Sequence, residues 1–329
     1  MQILAGDIGG TKTDLALLRV DPSGESAPRE LASARFRSAE HSGLSAMVDA
    51  FLGGASATIE RAAFGVAGPV VGDVCTTTNL PWRIDAAELA RGLGIPRVRL
   101  LNDFHALALG IGVLGPNQVE ILQAGEVDPS GPQAIIGAGT GLGEAILVPT
   151  PSGPRVIATE GGHADFAPRD AIELRLLRRL LDRHQHVSYE RLVSGTGIAT
   201  SYELLVAEGL VAESAATRAR LGAEDPAAVI GELALAGADP ACVAAVDRFV
   251  AIYGAEAGNL ALKTLPRGGL YVAGGIAPKL LPILRRGAFV EALCAKGRME
   301  PLLRRLQVAV VTEPRVGLLG AARAAAEGL

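Results

Sequence analysis

The chain has 329 residues, a length that suits about two domains, and its 49% of hydrophobic residues supply a sizeable core, so fibrous and disordered classes are excluded. With 31 basic and 35 acidic residues the net charge is −4 and no Lys/Arg-dense block occurs, which removes the electrostatic footprint of a nucleic-acid or anionic-membrane surface and leaves a small molecule as the expected partner. Three dispersed cysteines, Cys75, Cys242 and Cys294, suit neither a disulfide framework nor a zinc knuckle and point to a reducing, cytosolic setting.

The segment Met1 to Asp7 lacks the basic and long apolar regions of a signal peptide, and no membrane span is expected. An apolar strand over Ile3 to Ala5, a Gly-Gly turn and a second strand over Thr13 to Val20 predict a hairpin. A polar loop (Asp21 to Arg29), a strand near Leu31 to Phe36, a helix from Gly43 to Leu52 and an apolar run from Ala62 to Ala67 follow. Asp85 and Glu88 have capping-box spacing and open a helix to Leu93. Val98 to Leu101 reads as a buried strand running into Asn102-Asp103 and a helix from Phe104 to Leu114. The breaker cluster Gly112 to Asn117 marks a domain boundary near residue 113.

Beyond it the theme restarts. Gln133 to Ile136 and Ala145 to Val148 are strands around the glycine turn Gly137-Ala138-Gly139-Thr140-Gly141-Leu142-Gly143. Helices are expected over Ala171 to Arg183, Gly197 to Glu208, Pro226 to Ala236 and Pro240 to Thr264. A strand from Gly269 to Ala273 then meets Gly274-Gly275 and a helix at Pro278, and a last strand, Val308 to Thr312, precedes a terminal helix. Two hairpins of one design, about 130 residues apart, indicate a duplicated α/β architecture rather than a single Rossmann domain.

The first turn gathers Gly9, Gly10, Thr11 and Lys12 beside Asp7: amides open to an anion, a hydroxyl, a point charge and a carboxylate able to hold hydrated Mg²⁺. An ordinary hairpin with a solvated lysine has the same sequence. The second turn fails both G-x-G-x-x-G and the P-loop pattern, and is either a second backbone cradle with Thr140 as donor or a bulged strand turn. Asp103 lies where a strand ends and a helix begins, the place for a general base and equally for an N-cap. Glu160-Gly161-Gly162-His163 combines a carboxylate and an imidazole on one tight loop suited to polyol hydroxyls or to a plain β-turn, and Glu190 is at the least a helix-entry acid. His184 and His186 read as solvated, and no serine or cysteine has a nucleophile's context.

Taken together these segments resemble the bacterial glucokinase family, actin-like sugar kinases related to the repressor/open-reading-frame/kinase (ROK) group. Asp7-Ile8-Gly9-Gly10-Thr11 resembles its first phosphate motif, Leu101-Asn102-Asp103-Phe104 its catalytic motif and Gly137 to Gly143 its second phosphate motif. Glu160 to Pro168 and Glu190 to Gly195 resemble its sugar segments, and Val272 to Ile276 its adenosine motif. Lys12 is the residue more usual in zinc-containing relatives, but their cysteine cluster is absent, which places the chain with the zinc-free branch and implies no bound metal beyond Mg²⁺ accompanying ATP.

The resemblance implies a two-domain actin-like (ribonuclease H-like) ATPase fold: a small α/β domain, 1–113 completed by about 314–329, and a large one, 114–313, with a cleft between them. It implies transfer of the terminal phosphoryl of ATP to the 6-hydroxyl of glucose, with Asp103 as base. Asn102 and Asp103 would hold one end of the sugar and Glu160, His163 and Glu190 the other. Gly6, Asp7, Ile8, Gly9, Gly10, Thr11, Lys12, Gly137, Gly139, Thr140, Gly141, Gly195, Thr196, Gly274 and Gly275 would form the nucleotide side. A cytoplasmic homodimer is the family expectation. A kinase of another hexose or amino sugar is the nearer alternative. A sugar-sensing regulator would need a DNA-binding segment ahead of Asp7, where six residues stand.

Overall fold

The computed structural model describes residues 1–21, 28–53, 58–77 and 80–328, so most of the polar loop expected over Asp21 to Arg29 lies outside the described residues. The chain divides into two compact units: Met1–Gln118 with Val156–Ala158 and Glu313–Leu329, and Val119–Arg155 with Thr159–Thr312.

The first unit runs β1 (Gln2–Ile8), β2 (Lys12–Arg19), β3 (Arg29–Arg37), α1 (Leu44–Leu52), β4 (Arg61–Val66), β5 (Val70–Val71), β6 (Val74–Thr76), β7 (Arg83–Asp85), α2 (Ala86–Leu93), β8 (Arg97–Asn102) and α3 (Asp103–Ile111). Its main sheet has the order β3-β2-β1-β4-β8, with β1 antiparallel to β2 and parallel to β4. The central position explains why Ile3, Leu4 and Ala5 are consecutive apolar residues, all fully buried, rather than an alternating pattern. Asp85 caps α2, accepting from the Ala87 and Glu88 amides as its spacing predicts. The small antiparallel sheet β5-β6-β7 gave no period-2 signal because its strands span two or three residues each.

The second unit contains β9 (Val119–Gln123), β10 (Gln133–Ala138), β11 (Leu142–Val148), the ends of β12 (Arg155–Thr159), whose middle residues Val156–Ala158 group with the first unit, α4 (Ala171–Leu181), α5 (Gly195–Ala207), α6 (Ala215–Leu221), α7 (Pro226–Leu235), α8 (Pro240–Thr264), β13 (Leu270–Ala273), α9 (Leu281–Leu284), α10 (Ala288–Cys294), α11 (Glu300–Leu303) and β14 (Val308–Val311). Its sheet, β12-β11-β10-β13-β14-β9, repeats the first through its first five strands. Again the central strand, β10, is antiparallel to the strand it turns into and parallel to the strand on its other side. The helix expected at Pro278 starts only at Leu281, and β9, α6, α10 and α11 have no counterpart among the expected elements.

The last helix, α12 (Val316–Glu327), packs in the first unit against α3, β1 and β4. Small residues set that approach: a Cβ on Gly320 would run into the Ala106 carbonyl, and one on Gly110 into that of Val316. Among the described residues no single helix is long and apolar enough to cross a membrane.

Candidate active site

In the first unit, β1 and β2 close on the pair Ile8 and Thr13, leaving a four-residue turn in which the Gly9 amide donates to the Lys12 carbonyl at 2.9 Å. Ser38, invisible as a site residue in the sequence, anchors this turn from outside. Its hydroxyl donates to the Gly9 carbonyl at 2.7 Å and lies 3.0 Å from the Thr13 hydroxyl, and its amide donates to the Thr11 carbonyl at 3.1 Å. Thr11 and Lys12 are exposed on the turn. Gly6 and Ile8, by contrast, are buried inside β1, Gly6 where Phe64 and Leu15 leave no room for a side chain. They shape the strand and do not face a ligand with side-chain atoms.

Asp7 is the chemically distinctive residue of the strand. Burial, reinforced by the Asp103 and Asp14 charges and opposed by Arg35, pushes its carboxyl up to about 7. Gly317 of α12 lies against it, and a Cβ there would come within 2.7 Å of Asp7 Oδ2. A crowded, hard carboxylate oxygen that like charges disfavour in the ionised form is a donor suited to Mg²⁺, whose charge would relieve that repulsion.

Asp103 occupies the first position of α3, and the cap is Asn102. The Asn102 Oδ1 accepts from the Phe104 and His105 amides at 3.0 and 3.3 Å, and its Nδ2 donates to the Gly68 carbonyl at 3.2 Å. The capping explanation of Asp103 is therefore displaced onto its neighbour. Asp103 accepts from the Phe104 amide at 2.9 Å through Oδ1 and sits at a helix N-terminus, where a carboxylate is electrostatically favoured. An amide nitrogen carries two hydrogens, so Asn102 retains one after its bond to Gly68.

In the second unit three remote segments meet. The turn after β10 closes with the Gly139 amide on the Gly141 carbonyl at 2.8 Å, so this amide serves the turn and not a ligand. The Gly139 carbonyl accepts from the Gly195 amide at 2.9 Å, which brings the N-terminus of α5 beside it, capped by Ser194 on the Gly197 amide. Thr196 is held near the cap by a 3.0 Å contact between its hydroxyl and that of Ser194. From β13, the Ile276 amide donates to the Ala138 carbonyl at 3.2 Å, and Gly274, at φ 81°, passes so close that a Cβ would fall 2.5 Å from the same oxygen. The N-terminus of the 13-residue helix α5 thus converges with two glycine turns, a placement where the helix dipole favours an anion.

Behind the turn, the buried Tyr253 hydroxyl accepts from the Ala138 amide at 3.1 Å and donates to the Ile136 carbonyl at 3.2 Å. Tyr253→Phe is expected to leave that amide unpaired and to cost about 1–3 kcal/mol, read as a lowered urea midpoint.

Three of the residues expected at the sugar, Glu160, His163 and Glu190, come together in this same unit. The loop Glu160 to His163 lies over β11, with Gly162 so close to the Leu142 carbonyl that no side chain fits. His163 Nδ1 is 3.9 Å from Glu190 Oε1, and its Nε2 is 4.0 Å from Glu160 Oε2. Glu190 is more than a helix-entry acid. Its Oε2 accepts from the Leu142 amide at 2.9 Å, tying it to the end of the second glycine turn, and its carboxylate fills the space that a side chain on Gly141 would need. His163, His184, Ser188, Glu190 and Arg191 line a cavity of about 370 Å³. His186 also lines it, and its Nε2 pairs with Asp165 at 2.8 Å on the exposed surface.

Comparison with known proteins adds a chain-long likeness. A family model described as glucokinase matches residues 4–328. Proteins named glucokinase from Nostoc punctiforme and Synechocystis sp. are each 44% identical, covering 98% and 99% of this chain and 98% of their own lengths. A crystal structure of glucokinase from an Antarctic psychrotroph matches with a TM-score of 0.86 at 32% identity over 98% of both chains. A ROK family glucokinase from Streptomyces griseus, in complex with glucose and AMPPNP, shares the fold at a TM-score of 0.67 and 22% identity over 99% of both chains.

Proposed function

Because the chain belongs to the glucokinase family, we propose that it transfers the terminal phosphoryl group of ATP to the 6-hydroxyl of glucose, releasing glucose 6-phosphate and ADP. The observation that carries this reading is the convergence of the Gly139 turn, the Glu160 to His163 loop and Glu190, three segments remote in sequence that bring anion-binding and hydroxyl-binding groups into one unit.

Asp103 accepts the proton of the 6-hydroxyl as that oxygen attacks the terminal phosphorus and the bond to the bridging oxygen of ADP breaks. The second hydrogen of the Asn102 amide and the Asp103 carboxylate hold the reacting end of the sugar. Glu160, His163 and Glu190 hold the other, and a site built from such groups rejects a sugar lacking the matching hydroxyl by about 10⁴-fold. The turns Gly9 to Lys12 and Gly139 to Gly141, through groups other than the Gly9, Gly139 and Gly195 amides that the protein itself engages, orient the polyphosphate together with Thr196 and the α5 N-terminus. Gly274 and Gly275 let backbone approach the adenosine. Asp7 is the residue fitted to hold Mg²⁺, which supplies charge neutralisation of the phosphates when bound.

Three buried free cysteines support a reducing cytoplasmic setting, and the family likeness supports a role at the entry to glycolysis and a homodimeric state. A coupled assay with glucose, mannose, fructose, glucosamine and N-acetylglucosamine against ATP, ADP and polyphosphate tests the reading. Glucose with ATP is expected to give the highest kcat/KM, and preference for another pair would overturn it.

A further inference from the structure

Beneath the Glu160 to His163 loop lie two carboxyl groups that the proposed chemistry does not use. Glu144 on β11 is 3% exposed, and Glu256 on α8 is fully buried. Glu256 stands three residues after Tyr253 and seven before Lys263, on the helix face turned toward β10 and β11. The two carboxyls are buried neighbours that act on one another directly. Two ionised carboxylates only accept, so a hydrogen bond between them requires a shared proton.

The surroundings favour the protonated pair. One oxygen of each, Oε1, has no hydrogen-bond partner among the described residues, while Glu256 Oε2 accepts from Asn259 Nδ2 at 2.8 Å. The cations at hand do not form an ion pair with either acid. Lys296 Nζ donates instead to the Ala255 carbonyl at 2.9 Å and to Asn259 Oδ1, and Lys263 exerts its pull from a distance. Among the described residues the hydroxyls of Tyr189 and Tyr253 also face the pair, with Arg169 behind Lys296 and Glu160 and His163 on the loop above. Burial first, and the neighbouring Glu256 next, push the Glu144 carboxyl up to about 8, and burial pushes that of Glu256 upward as well.

Glu144 is also the floor of the loop. Its Oε2 occupies the space that a side chain on Gly161 would take, and its carbonyl accepts from the Thr159 hydroxyl at 3.1 Å. That hydroxyl oxygen in turn accepts from the Gly161 amide at 3.2 Å.

We propose that Glu144 and Glu256 share one proton and that this neutral pair fixes the Glu160 to His163 loop, making both acids positioning residues for sugar binding. The proposal rests on the reading that this loop holds the sugar. The sign follows from the raised affinity for the proton: the folded chain keeps it at pH values where an unfolded glutamate has lost it, so the pair's contribution is present at lower pH and disappears as pH rises through the folded-state value. Ionisation sets two negative charges against each other and drives the Glu144 carboxylate toward Gly161. Sugar affinity then falls in alkaline solution while the nucleotide turn, held by Tyr253 and Gly195, keeps its affinity.

The test measures KM for glucose and for ATP from about pH 6.5 to about pH 9.5 in the wild-type enzyme and in Glu144→Gln, Glu256→Gln and Glu160→Gln. In the wild type the glucose KM is expected to rise about tenfold toward the alkaline end, with the ATP KM steady within about twofold. Each amide variant leaves a single carboxyl with no second carboxylate to repel it, so both are expected to hold the glucose KM near its neutral-pH value across the range, and either one alone suffices if the other fails to fold. A flat wild-type profile, or a rise that survives in both amide variants, overturns the pair. Glu160→Gln separates the two levels. If it raises the glucose KM at every pH while the alkaline rise survives in the pair variants, only the pair proposal fails. If it leaves the glucose KM unchanged, the sugar-loop reading fails and takes the pair with it.

Discussion

Asp103→Asn is expected to lower kcat by about 10²–10⁴-fold, the range for removal of a positioned general base, while glucose binding measured by calorimetry stays within about threefold. The substitution is close to isosteric. Asn102 carries the capping of α3, so the helix does not depend on the Asp103 charge, and an asparagine carbonyl still accepts from the Phe104 amide. What disappears is the capacity to take up the hydroxyl proton. Removing a negative charge near Asp7 also relieves part of the repulsion that raises the Asp7 carboxyl, so stability is expected to hold or improve. A variant with near-normal kcat would refute the base assignment, whatever its affinity for sugar.

Gly139→Val is expected to raise the KM for ATP by about 10–100-fold and to leave the KM for glucose within about twofold. A Cβ at Gly139 meets no atom within 4 Å among the described residues, so the protein itself has room for the new side chain and the bulk falls where a ligand must approach the turn. Gly274→Val provides the contrast. There φ is 81° and a Cβ would stand 2.5 Å from the Ala138 carbonyl oxygen, so stability falls along with nucleotide binding. Thermal unfolding separates the two cases: an unchanged midpoint with a weakened ATP KM for Gly139→Val, and a lowered midpoint for Gly274→Val. An unchanged ATP KM in a folded Gly139→Val protein would remove this turn from the nucleotide site.

The features readable along the chain were those carried by neighbours in sequence. The Asp85 cap, the helix from Pro240 to Thr264 and the two glycine hairpins each rest on contacts within a few residues, where residue type restricts backbone and hydrogen bonding directly. The motif-bearing segments stood out for the same reason: glycine, hydroxyl and carboxylate crowded into a turn restrict its backbone and hydrogen bonding locally. Asp103 and Asn102 show the limit of that approach, because adjacent residues able to cap the same helix cannot be told apart until the helix start is located.

Whatever depends on distant partners had no signature in the order of residues. Ser38 looks like any loop serine until the sheet brings it onto Gly9 and Thr13. Tyr253 reads as a core aromatic of a long helix, and only packing sets its hydroxyl on the Ala138 amide, 115 positions away. Gly6 is expected from the resemblance on the nucleotide side, next to the first phosphate motif, and the crowding of Phe64 and Leu15 gives it a packing role that the sequence did not show. Glu144 and Glu256 are each unexceptional beside their own neighbours; burial against one another is what gives them a shared proton. Residue identity dictates local backbone geometry and chemical capacity, because those follow from side-chain shape and donor count. Which distant groups are desolvated together, and hence what charge they carry, follows from the way each sheet packs with its own helices.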